Sequence, residues 1–422
     1  MPYPVTAVED CEEDVESFRQ RARAWLKAEM PLPDTARPEL GSEERWARAR
    51  TLQRQLYDAG FAGICYPREY GGQGLSFAHQ QAFSEESLPY EMPILLNVPS
   101  MSICLPTILE LGTDEQRHQH VRAVLQGESV LVEFLSESHS GSDLASALTR
   151  ADFDGATWVL NGSKIWTSSA FAGDYALCLA RTDWDAPKHR GLTMFIVPVR
   201  HPGVTVRRIR QVNGNSEFCE EFLDNVVVGP DAVLGEVNGG WAVAGHRFYY
   251  SRTALGGGNP YISGDHDESI AQSRGVTVGG FHDLAELAAR ADGSGELPPP
   301  AVDALVMETV RNQLAKRITG GIAGGALPIE AASMMRLLHA ETDWACIDAG
   351  ISIAAGYAAT GDVDGGLGAG SFGEAFLFRQ ATSIGGGTTE MARNVISERF
   401  LRLPREATPD IGLPFREIRR GR

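Results

Sequence analysis

The 422-residue sequence has no excess of positive charge. Its 38 lysine and arginine residues are outnumbered by 55 aspartate and glutamate residues, which gives a formal net charge of −17. Because a nucleic acid is neutralised by clustered basic side chains, this balance excludes nucleic acid as an expected partner. A small anionic ligand stays compatible with it, since backbone N–H groups can bind one. The basic C-terminal end, Arg416–Arg422, is interpreted as a solvated tail.

Cysteine is scarce, and no two cysteines form a C-x-x-C pair. The six lie far apart in the chain, at Cys11, Cys65, Cys104, Cys178, Cys219 and Cys346. This dispersal is typical of free thiols in a reducing compartment, so we predict a cytoplasmic location. It also provides no zinc-binding spacing, and we expect no metal site.

Long apolar runs are missing as well. No stretch comes close to the ~18 apolar residues of a membrane-spanning helix, so no span is predicted. The acidic N-terminal stretch, residues 1–18, also lacks the apolar centre of a signal peptide. Hydrophobic residues make up 43% and charged residues 22% of the chain, which is the composition of a globular protein.

Hydrophobic periodicity divides the chain into three regions and a tail. Residues 1–129 show a helical pattern, residues 130–238 show short strand-like runs, and residues 239–405 are helical again, followed by a basic tail at 406–422. The first region is illustrated by a helix face made of Val15, Phe18, Ala22, Trp25 and Leu26. The pattern predicts an N-terminal helical domain, a β domain and a C-terminal helical domain.

The β region contains a strong local turn pattern. Asn161–Gly162 lies between the apolar runs Trp158–Leu160 and Lys164–Trp166, which predicts a hairpin with a two-residue turn. Further strand-like runs are Tyr175–Ala180, Leu192–Val199, Val204–Ile209 and Phe222–Val228. Several short strands separated by turns indicate a compact antiparallel barrel or sandwich.

The C-terminal helical pattern has three centres, at residues 305–318, 331–345 and 390–401. The stretch 256–300 that precedes them is rich in Gly, Asp and Pro. Such a composition predicts a long loop or an interrupted helix.

Two stretches of the β region combine small polar residues with one large aromatic. Leu135–Asp143 has the sequence LSESHSGSD, and Lys164–Ala170 has the sequence KIWTSSA. Together they suit a planar polar heterocycle, because hydroxyl and backbone donors satisfy its edge while an apolar ring covers its face. Taken singly, each has a structural interpretation: a hydrogen-bonded turn for the first and a strand with a core Trp for the second.

Two glycine-rich stretches lie in the helical regions. Pro67–Ser76, PREYGGQGLS, is compatible with a tight turn between helices. In Thr382–Asn394, TSIGGGTTEMARN, three glycines precede two threonines and a helical pattern, with Thr388 placed to act as its N-cap. A simple glycine-rich helix start is the structural interpretation of the second stretch.

In this order, the four stretches resemble the motifs of the acyl-CoA dehydrogenase family. LSESHSGSD resembles the family's T-E-P-x-A-G-S-D segment, and GSKIWTSS from Gly162 resembles G-x-K-x-W-I-T-N. PREYGGQG is similar to the P-x-E-x-G-G-x-G loop. GGGTTEMARN, which starts at Gly385, is similar to E-G-T-S-E-I-Q-R-N.

The resemblance implies an α+β fold with an N-terminal helical domain, a middle antiparallel β-barrel and a C-terminal four-helix bundle. It implies FAD between barrel and bundle, in a homo-oligomer or in a heterotetramer with a related chain. The positions that it assigns to FAD are Leu135 and Ser136 at the pyrimidine edge, Gly141 and Ser142 at the pyrophosphate, Trp166 over the ring face, Thr167 and Ser168 near N5 and O4, and Gly387, Thr388 and Glu390 at the last helix. Ser142 and Arg252 are the implied acyl-CoA contacts.

Both places where the family carries its catalytic base lack a carboxylate. The family's reaction removes an α-proton with a Glu while the β-hydride passes to flavin N5. In the tail the corresponding position is Gly386, and on the first bundle helix it is Ser251, directly before Arg252. The catalytic residue is therefore not identified by the sequence.

Two more family segments are not matched. SRGVTVGGF at residues 273–281 stands where the family has Arg-x-x-Phe-Gly, and IAAGY at 353–357 stands where it has Gln-x-x-Gly-Gly-x-Gly. In the family the Arg-x-x-Phe-Gly segment reaches the FAD of a neighbouring subunit, so the FAD contacts from a partner subunit are not identified here.

Three hypotheses for function follow from the resemblance. The chain is an FAD-dependent acyl-CoA dehydrogenase whose base is another residue or comes from a partner subunit. Alternatively it is a non-catalytic subunit of a heteromeric dehydrogenase, or a flavin-dependent oxygenase or oxidase on the same fold, which needs no α-proton base. Under the first hypothesis the partners are an acyl-CoA substrate and an electron-transfer flavoprotein or similar acceptor.

Overall fold

The structure of the chain is a computed structural model. It describes residues 13–33, 41–256, 259–264, 284, 287–289, 296–355, 370–408, 410 and 412–418. The helix–strand–helix order and the α+β class expected from the sequence are confirmed.

The N-terminal part is helical. Its helices are α1 (Val15–Glu29), α2 (Glu43–Asp58), α3 (Phe77–Ser87), α4 (Leu105–Leu111) and α5 (Asp114–Leu125). Side chains before the first turns fix where three of them begin: Asp14 accepts from two backbone N–H groups of α1, Ser42 caps α2, and Thr113 caps α5. On α1, Phe18, Ala22 and Leu26 of the predicted apolar face are fully buried.

One apolar stretch is longer than the sequence analysis recognised. Residues 94–111, which end with α4, have a mean hydropathy of 1.6 over 18 residues, enough in length and composition to cross a membrane. In the fold, 78% of this window is buried inside the protein. Core helices of globular proteins pass the same test, because burial in protein and burial in lipid both favour apolar side chains.

The middle part is one eight-stranded sheet. The strands are β1 (Leu131–Phe134), β2 (Arg150–Phe153), β3 (Trp158–Ser168), β4 (Tyr175–Arg181), β5 (Leu192–Pro198), β6 (Val204–Arg208), β7 (Phe218–Val228) and β8 (Val233–Leu234). They pair in the order β6-β7-β3-β2-β4-β5-β8, and β1 pairs with β4.

The sheet is mixed, whereas the sequence analysis expected antiparallel pairing throughout. β1 and β2 both pair with β4 in parallel, and the other pairs are antiparallel. A strand has two hydrogen-bonding edges, and β5 occupies one edge of β4 along its whole length. β1 and β2 therefore share the other edge, with β1 on residues 175–178 and β2 at Arg181.

The hairpin predicted at Asn161–Gly162 is wrong, because β3 runs straight through both residues. Asn161 and Gly162 instead lie at a β-bulge between β3 and β7. The Asn161 side chain accepts a hydrogen bond from the backbone of Asn225 (2.8 Å), which has φ +50° in the bulged partner strand β7. Gly162 lies so close to Thr149 that an added Cβ would sit 2.6 Å from the threonine hydroxyl. The turn of the real hairpin, between β2 and β3, is stabilised by Asp154, which accepts from the backbone of Ala156 and Thr157.

The C-terminal helices are α6 (Gly240–Gly256), α7 (Pro299–Ala323), α8 (Ala332–Ala354), α9 (Gly370–Ile384) and α10 (Thr389–Val395), with a π-turn at Ile396–Phe400. α8 is central and packs against the other four. Most of the stretch 256–300 lies outside the described residues, as do residues 273–281 and 356–357 of the two unmatched segments.

Directly before the predicted solvated tail, Arg416–Arg422, the chain is anchored on the loop that follows β4, and Arg416 and Glu417 of that tail are exposed. Phe415 is 0% exposed, and its backbone N–H donates to the carbonyl of Ala186. Residues 419–422 of the predicted tail lie outside the described residues.

Candidate functional site

Two of the sequence motifs meet on β3. The backbone N–H of Ile165 donates to the carbonyl of Ser136 (2.9 Å), and Lys164 Nζ donates to the carbonyl of Leu135 (3.0 Å). The segment that carries Leu135 and Ser136 therefore runs beside the strand that carries Trp166.

A buried ion pair holds this arrangement and was missed by the sequence analysis. Lys164 Nζ lies 2.8 Å from Glu137 Oε1, and both side chains are buried. Glu137 also accepts from the backbone of Leu148 and Thr149, so it closes the loop that contains Gly141 and Ser142. Burial raises the pKa of Glu137, but the charge of Lys164 and these hydrogen bonds outweigh it and leave the pKa lowered. A lysine between Gly-Ser and Ile-Trp in a predicted strand was the available clue.

Trp166 is the extra residue of a β-bulge. Ile165 pairs with Glu220 and Thr167 pairs with Cys219, so Trp166 has no partner on β7 and adopts φ +66°. Its side chain leaves the sheet and is 56% exposed. The Trp166 ring meets Phe218 edge to face at 6.2 Å, and Phe218 stacks on Phe378 of α9 at 6.2 Å. This aromatic cluster offers an open face for a planar ring.

Because Trp166 is bulged out, Thr167 faces the interior of the sheet, and strand alternation places Ser168 on the other side. The Thr167 hydroxyl lies inside the sheet, 3.1 Å from the carbonyl of Glu133 and 2.9 Å from Glu221 Oε2. By strand alternation, the half-buried Ser168 points to the other face. In this structure Ser168 is therefore available beside Trp166, whereas the hydroxyl of Thr167 is engaged in the interior.

Two acidic residues behind the strand were not found from the sequence. Glu221 is fully buried, and burial raises its pKa to about 7. Glu133 forms a part-buried, two-bond ion pair with Arg247, which ties α6 to β1. Charged residues are usually exposed, so nothing in the local pattern indicated that these face inward.

The loop predicted to bind pyrophosphate is exposed at Gly141 and Ser142 and fixed on both sides of them. Beyond them, Lys188 Nζ lies 2.6 Å from Asp143 Oδ2, and the Ser146 hydroxyl donates to the same oxygen. Burial raises the pKa of Asp143, but these two donors outweigh it and the pKa is lowered. An anchored loop with exposed small residues can present backbone N–H and hydroxyl donors to an anion.

The glycine-rich segment forms the N-terminal end of α10. Gly386 and Gly387 have φ +75° and +99°, which glycine adopts without strain. The Thr388 side chain accepts from the backbone of Met391 (3.1 Å), so its prediction as the N-cap is confirmed. Glu390 is exposed in the first turn. Within the described residues, no hydrogen bond or ring contact joins this segment to the β3 site; it packs on α8, where Arg336 Nη2 donates to the Gly385 carbonyl (2.8 Å).

The two positions of the missing base differ in environment. Ser251 is 2% exposed on α6, one helical turn after Arg247, and Gly386 lies in the open turn before α10. Arg252 is half-buried and has no hydrogen bond or ion pair within the part of the chain that the structure describes. Burial and the like charges of Arg399 and Arg247 lower its pKa. Among the described residues, no cluster of three or more His, Cys, Asp or Glu side chains could hold a metal ion.

Comparison with known proteins gives matches along most of the chain. Residues 12–128 match the family model "Acyl-CoA dehydrogenase, N-terminal domain", and residues 133–226 match "Acyl-CoA dehydrogenase, middle domain". The chain is 31% identical over 410 residues to acyl-CoA dehydrogenase IpdE1 of Mycobacterium tuberculosis, covering 94% of this chain and 99% of that protein. It is 34% identical over 360 residues to acyl-CoA dehydrogenase FadE34 of the same organism, covering 84% of this chain and 46% of that protein.

Among solved structures, the chain is similar to the Tcur3481-Tcur3483 steroid ACAD. The two superpose with a TM-score of 0.74 at 26% identity, over 94% of this chain and 100% of that one. The ChsE4-ChsE5 complex of Mycobacterium tuberculosis has the same fold, with a TM-score of 0.66 at 23% identity over 94% of this chain and 100% of that one.

Proposed function

The chain belongs to the acyl-CoA dehydrogenase family, and from this premise we propose that it is one chain of a heteromeric FAD-dependent dehydrogenase. The enzyme would introduce a double bond between the α and β carbons of an acyl-CoA thioester. This chain would hold FAD and thioester, and a partner chain would supply the carboxylate that removes the α-proton.

The residues of the β3 site fit FAD. An exposed aromatic face at Trp166, a hydroxyl beside it at Ser168, and exposed Gly141 and Ser142 match a flat ring with a polar edge and a pyrophosphate. When bound, FAD would accept the hydride from the β carbon. Trp166 would cover the ring, Ser168 would donate to its edge, and the backbone at Leu135–Ser136 would meet the pyrimidine side. Gly387, Thr388 and Glu390 would approach the cofactor from α10.

The observation that carries the proposal is the side chain at each position of the base. Proton removal at a carbon requires a group that is ionised near neutral pH, typically a carboxylate with a raised pKa. Ser251 offers a neutral hydroxyl, and Gly386 offers no side chain. A partner chain with a Glu is the simplest source, and the similarity to the Tcur3481-Tcur3483 protein, whose name joins two chains, supports it.

We propose a CoA thioester of a bulky, ring-bearing acid as the substrate. The similarity to a protein named as a steroid ACAD supports this class. Gly385–Gly387 leave space beside α10, and an added Cβ at Gly387 would meet nothing within 4 Å. Arg252, half-buried and without an ion-pair partner in the described residues, is the proposed contact for an anionic part of the CoA moiety.

The remaining partners follow from the chemistry. Reduced flavin must be reoxidised after each turnover, and an electron-transfer flavoprotein or similar acceptor would do this. We also expect the assembly to work in the cytoplasm, where dispersed free thiols stay reduced.

The test is to purify the chain alone and together with a dehydrogenase-like chain that carries the Glu. The proposal expects FAD in both preparations, and anaerobic loss of the visible flavin absorbance with a steroid-type acyl-CoA only in the second. Flavin bound only by the companion chain would make this chain a non-catalytic subunit. A third outcome is a flavin that no thioester reduces but that turns over with oxygen and a flavin reductase supplied with NADPH. This result would make the chain an oxygenase, which needs no α-proton base.

A further inference from the structure

The C-terminal segment, residues 412–418, lies across the loop that follows β4; we call it the C-terminal strap. Its backbone donates hydrogen bonds from Phe415 to the carbonyl of Ala186 (3.0 Å) and from Arg416 to the carbonyl of Trp184 (3.1 Å). The Phe415 ring is completely buried, with its centroid 5.7 Å from that of Trp184. The strap is therefore joined to this loop by backbone and side-chain contacts.

Phe415 covers a buried arginine. The guanidinium carbon of Arg181 lies 3.6 Å from the centre of the Phe415 ring, and Arg181 is 0% exposed. The edge of the same guanidinium donates to two carbonyls, Nη2 to Ala145 (2.6 Å) and Nη1 to Lys188 (2.8 Å). A planar guanidinium held between a ring on its face and acceptors at its edge has one favoured orientation.

The two carbonyls that accept hydrogen bonds from Arg181 belong to segments that position the loop at residues 140–146. Ala145 lies in that loop, and Lys188 reaches it through the ion pair with Asp143. Ser142 directly precedes Asp143 and is exposed. The order of the loop around Ser142 therefore depends on Arg181, and the place of Arg181 depends on Phe415.

We propose that the C-terminal strap is a positioning element for the 140–146 loop, acting through Phe415 and Arg181 on the binding of a phosphate-bearing ligand at Ser142. The ligand part rests on the proposed function, with FAD as the ligand. Without the Phe415 ring, water reaches the guanidinium and competes for its hydrogen bonds to Ala145 and Lys188. Binding of the ligand then has to order a more mobile loop, and this loss of entropy lowers the affinity.

The first measurement needs no ligand. Amide hydrogen exchange of residues 140–149 is compared in the full-length chain and in the variants Phe415→Ala, Phe415→Leu, Phe415→Tyr and Arg416→Ala. Arg416 is the matched control, because its exposed side chain contacts Asp185 at 2.8 Å and its backbone bond is kept in the variant. Phe415→Ala should speed exchange of the loop about ten-fold or more. Phe415→Tyr, which keeps the aromatic ring, and Arg416→Ala should both exchange at the wild-type rate.

Phe415→Leu distinguishes the contribution of apolar packing from that of the aromatic ring over Arg181. It also replaces Phe415→Ala in the comparison if the alanine variant does not fold. It keeps an apolar side chain but removes the π-system over Arg181, so it should give intermediate exchange. Exchange of the loop that stays at the wild-type rate in Phe415→Leu and Phe415→Ala overturns the proposal.

The second measurement is the dissociation constant of FAD for the same full-length variants. Phe415→Ala should weaken FAD binding about ten-fold. Phe415→Tyr, which keeps the ring, and Arg416→Ala should both bind FAD with the wild-type affinity. Faster loop exchange with unchanged FAD affinity overturns the role in ligand binding. If the wild-type chain binds no FAD, the proposed function fails, and loop exchange alone decides whether the strap holds the loop.

Discussion

Glu221 Oε2 lies 2.9 Å from the Thr167 hydroxyl, in the interior of the sheet and on the opposite side of β3 from Trp166. The second oxygen of Glu221, Oε1, is buried and has no hydrogen-bond partner within the described residues. Lys164, whose positive charge acts on Glu221, is itself paired with Glu137. The strand that carries the proposed flavin-binding face thus rests on a carboxyl group that burial keeps protonated up to about pH 7.

The first prediction concerns stability and pH. The folded pKa of Glu221 is about 7 and the ordinary value is 4.5, so the folded state binds the extra proton between these two values. Stability contributed by the neutral form is complete below about pH 4.5, falls as pH rises, and is lost above about pH 7. The loss is on the order of 3 kcal/mol. Glu221→Gln should therefore unfold at higher urea than wild type at pH 8, and at about the same urea concentration at pH 4.5.

The control is Glu220→Gln, since Glu220 is the neighbouring, half-buried residue on β7. Its unfolding should follow the wild-type pH profile. Equal profiles for wild type and Glu221→Gln would show that Glu221 does not titrate in this range.

The second prediction concerns the aromatic face. Trp166→Ala should lower FAD content strongly, because the variant loses the apolar surface proposed to cover the flavin. The free energy of unfolding should change by less than the 3–5 kcal/mol of a buried Trp→Ala change, since Trp166 is 56% exposed. Phe153→Ala is the matched control, because Phe153 is an exposed aromatic on the same sheet. Wild-type flavin content and spectrum in Trp166→Ala would contradict the assignment of this face.

The third prediction concerns the buried pair beneath the two motifs. Lys164→Met leaves the Glu137 carboxylate buried without its cation and should cost about 3–5 kcal/mol in urea unfolding. Glu137→Gln in the same background removes that charge and should recover part of the loss. Independent, additive effects of the two changes would mean that the pair does not act as a unit.

Elements whose sequence pattern is local, or is carried by several positions, could be predicted from the sequence. Tyr175–Ala180 and Leu192–Val199 are continuous apolar runs and became β4 and β5 within one residue. Thr388 caps its helix as predicted, since capping depends on the residue itself and the backbone three positions on.

Features that depend on a segment distant in the sequence could not be predicted. Asn161–Gly162 has the composition of a turn, but the close approach of Thr149 and the bulge at Asn225 keep both residues in β3. Phe415 lies in the short stretch GLPFREI, which has neither a helix nor a strand pattern, and only the fold brings Arg181 beneath it.

The fourth prediction introduces a base. Ser251→Glu places a carboxylate directly before Arg252, whereas Gly386→Glu forces a side chain onto backbone with φ +75°. We expect Ser251→Glu to fold better than Gly386→Glu, because left-handed backbone is costly for residues other than glycine. Burial at position 251 would raise the pKa of the new carboxyl, as suits a base.

Flavin reduction by a thioester should become measurable in Ser251→Glu, since general-base help is typically ~10²–10⁴-fold. Ser251→Gln is its isosteric control and should give none. Equal flavin reduction in both variants would mean that the carboxylate is not the reason.

The fifth prediction concerns the thioester. Arg252→Ala should weaken binding of the acyl-CoA and leave FAD content unchanged, because a half-buried guanidinium contributes a charge-assisted bond to an anion. Titration of the thioester against flavin absorbance measures this, with the exposed Arg317→Ala as control. Unchanged thioester affinity together with unchanged assembly would leave Arg252 without a binding role.

The most direct test of the central claim is anaerobic mixing of the purified wild-type chain, without any partner, with a steroid-type acyl-CoA while the visible flavin absorbance is followed. A chain that binds FAD and thioester but carries no base at position 251 or 386 should perturb the flavin spectrum on binding and leave it oxidised. Addition of a partner chain with the Glu should then reduce it. Rapid and complete flavin reduction by the chain alone would contradict the account, because it would place a competent base within this chain.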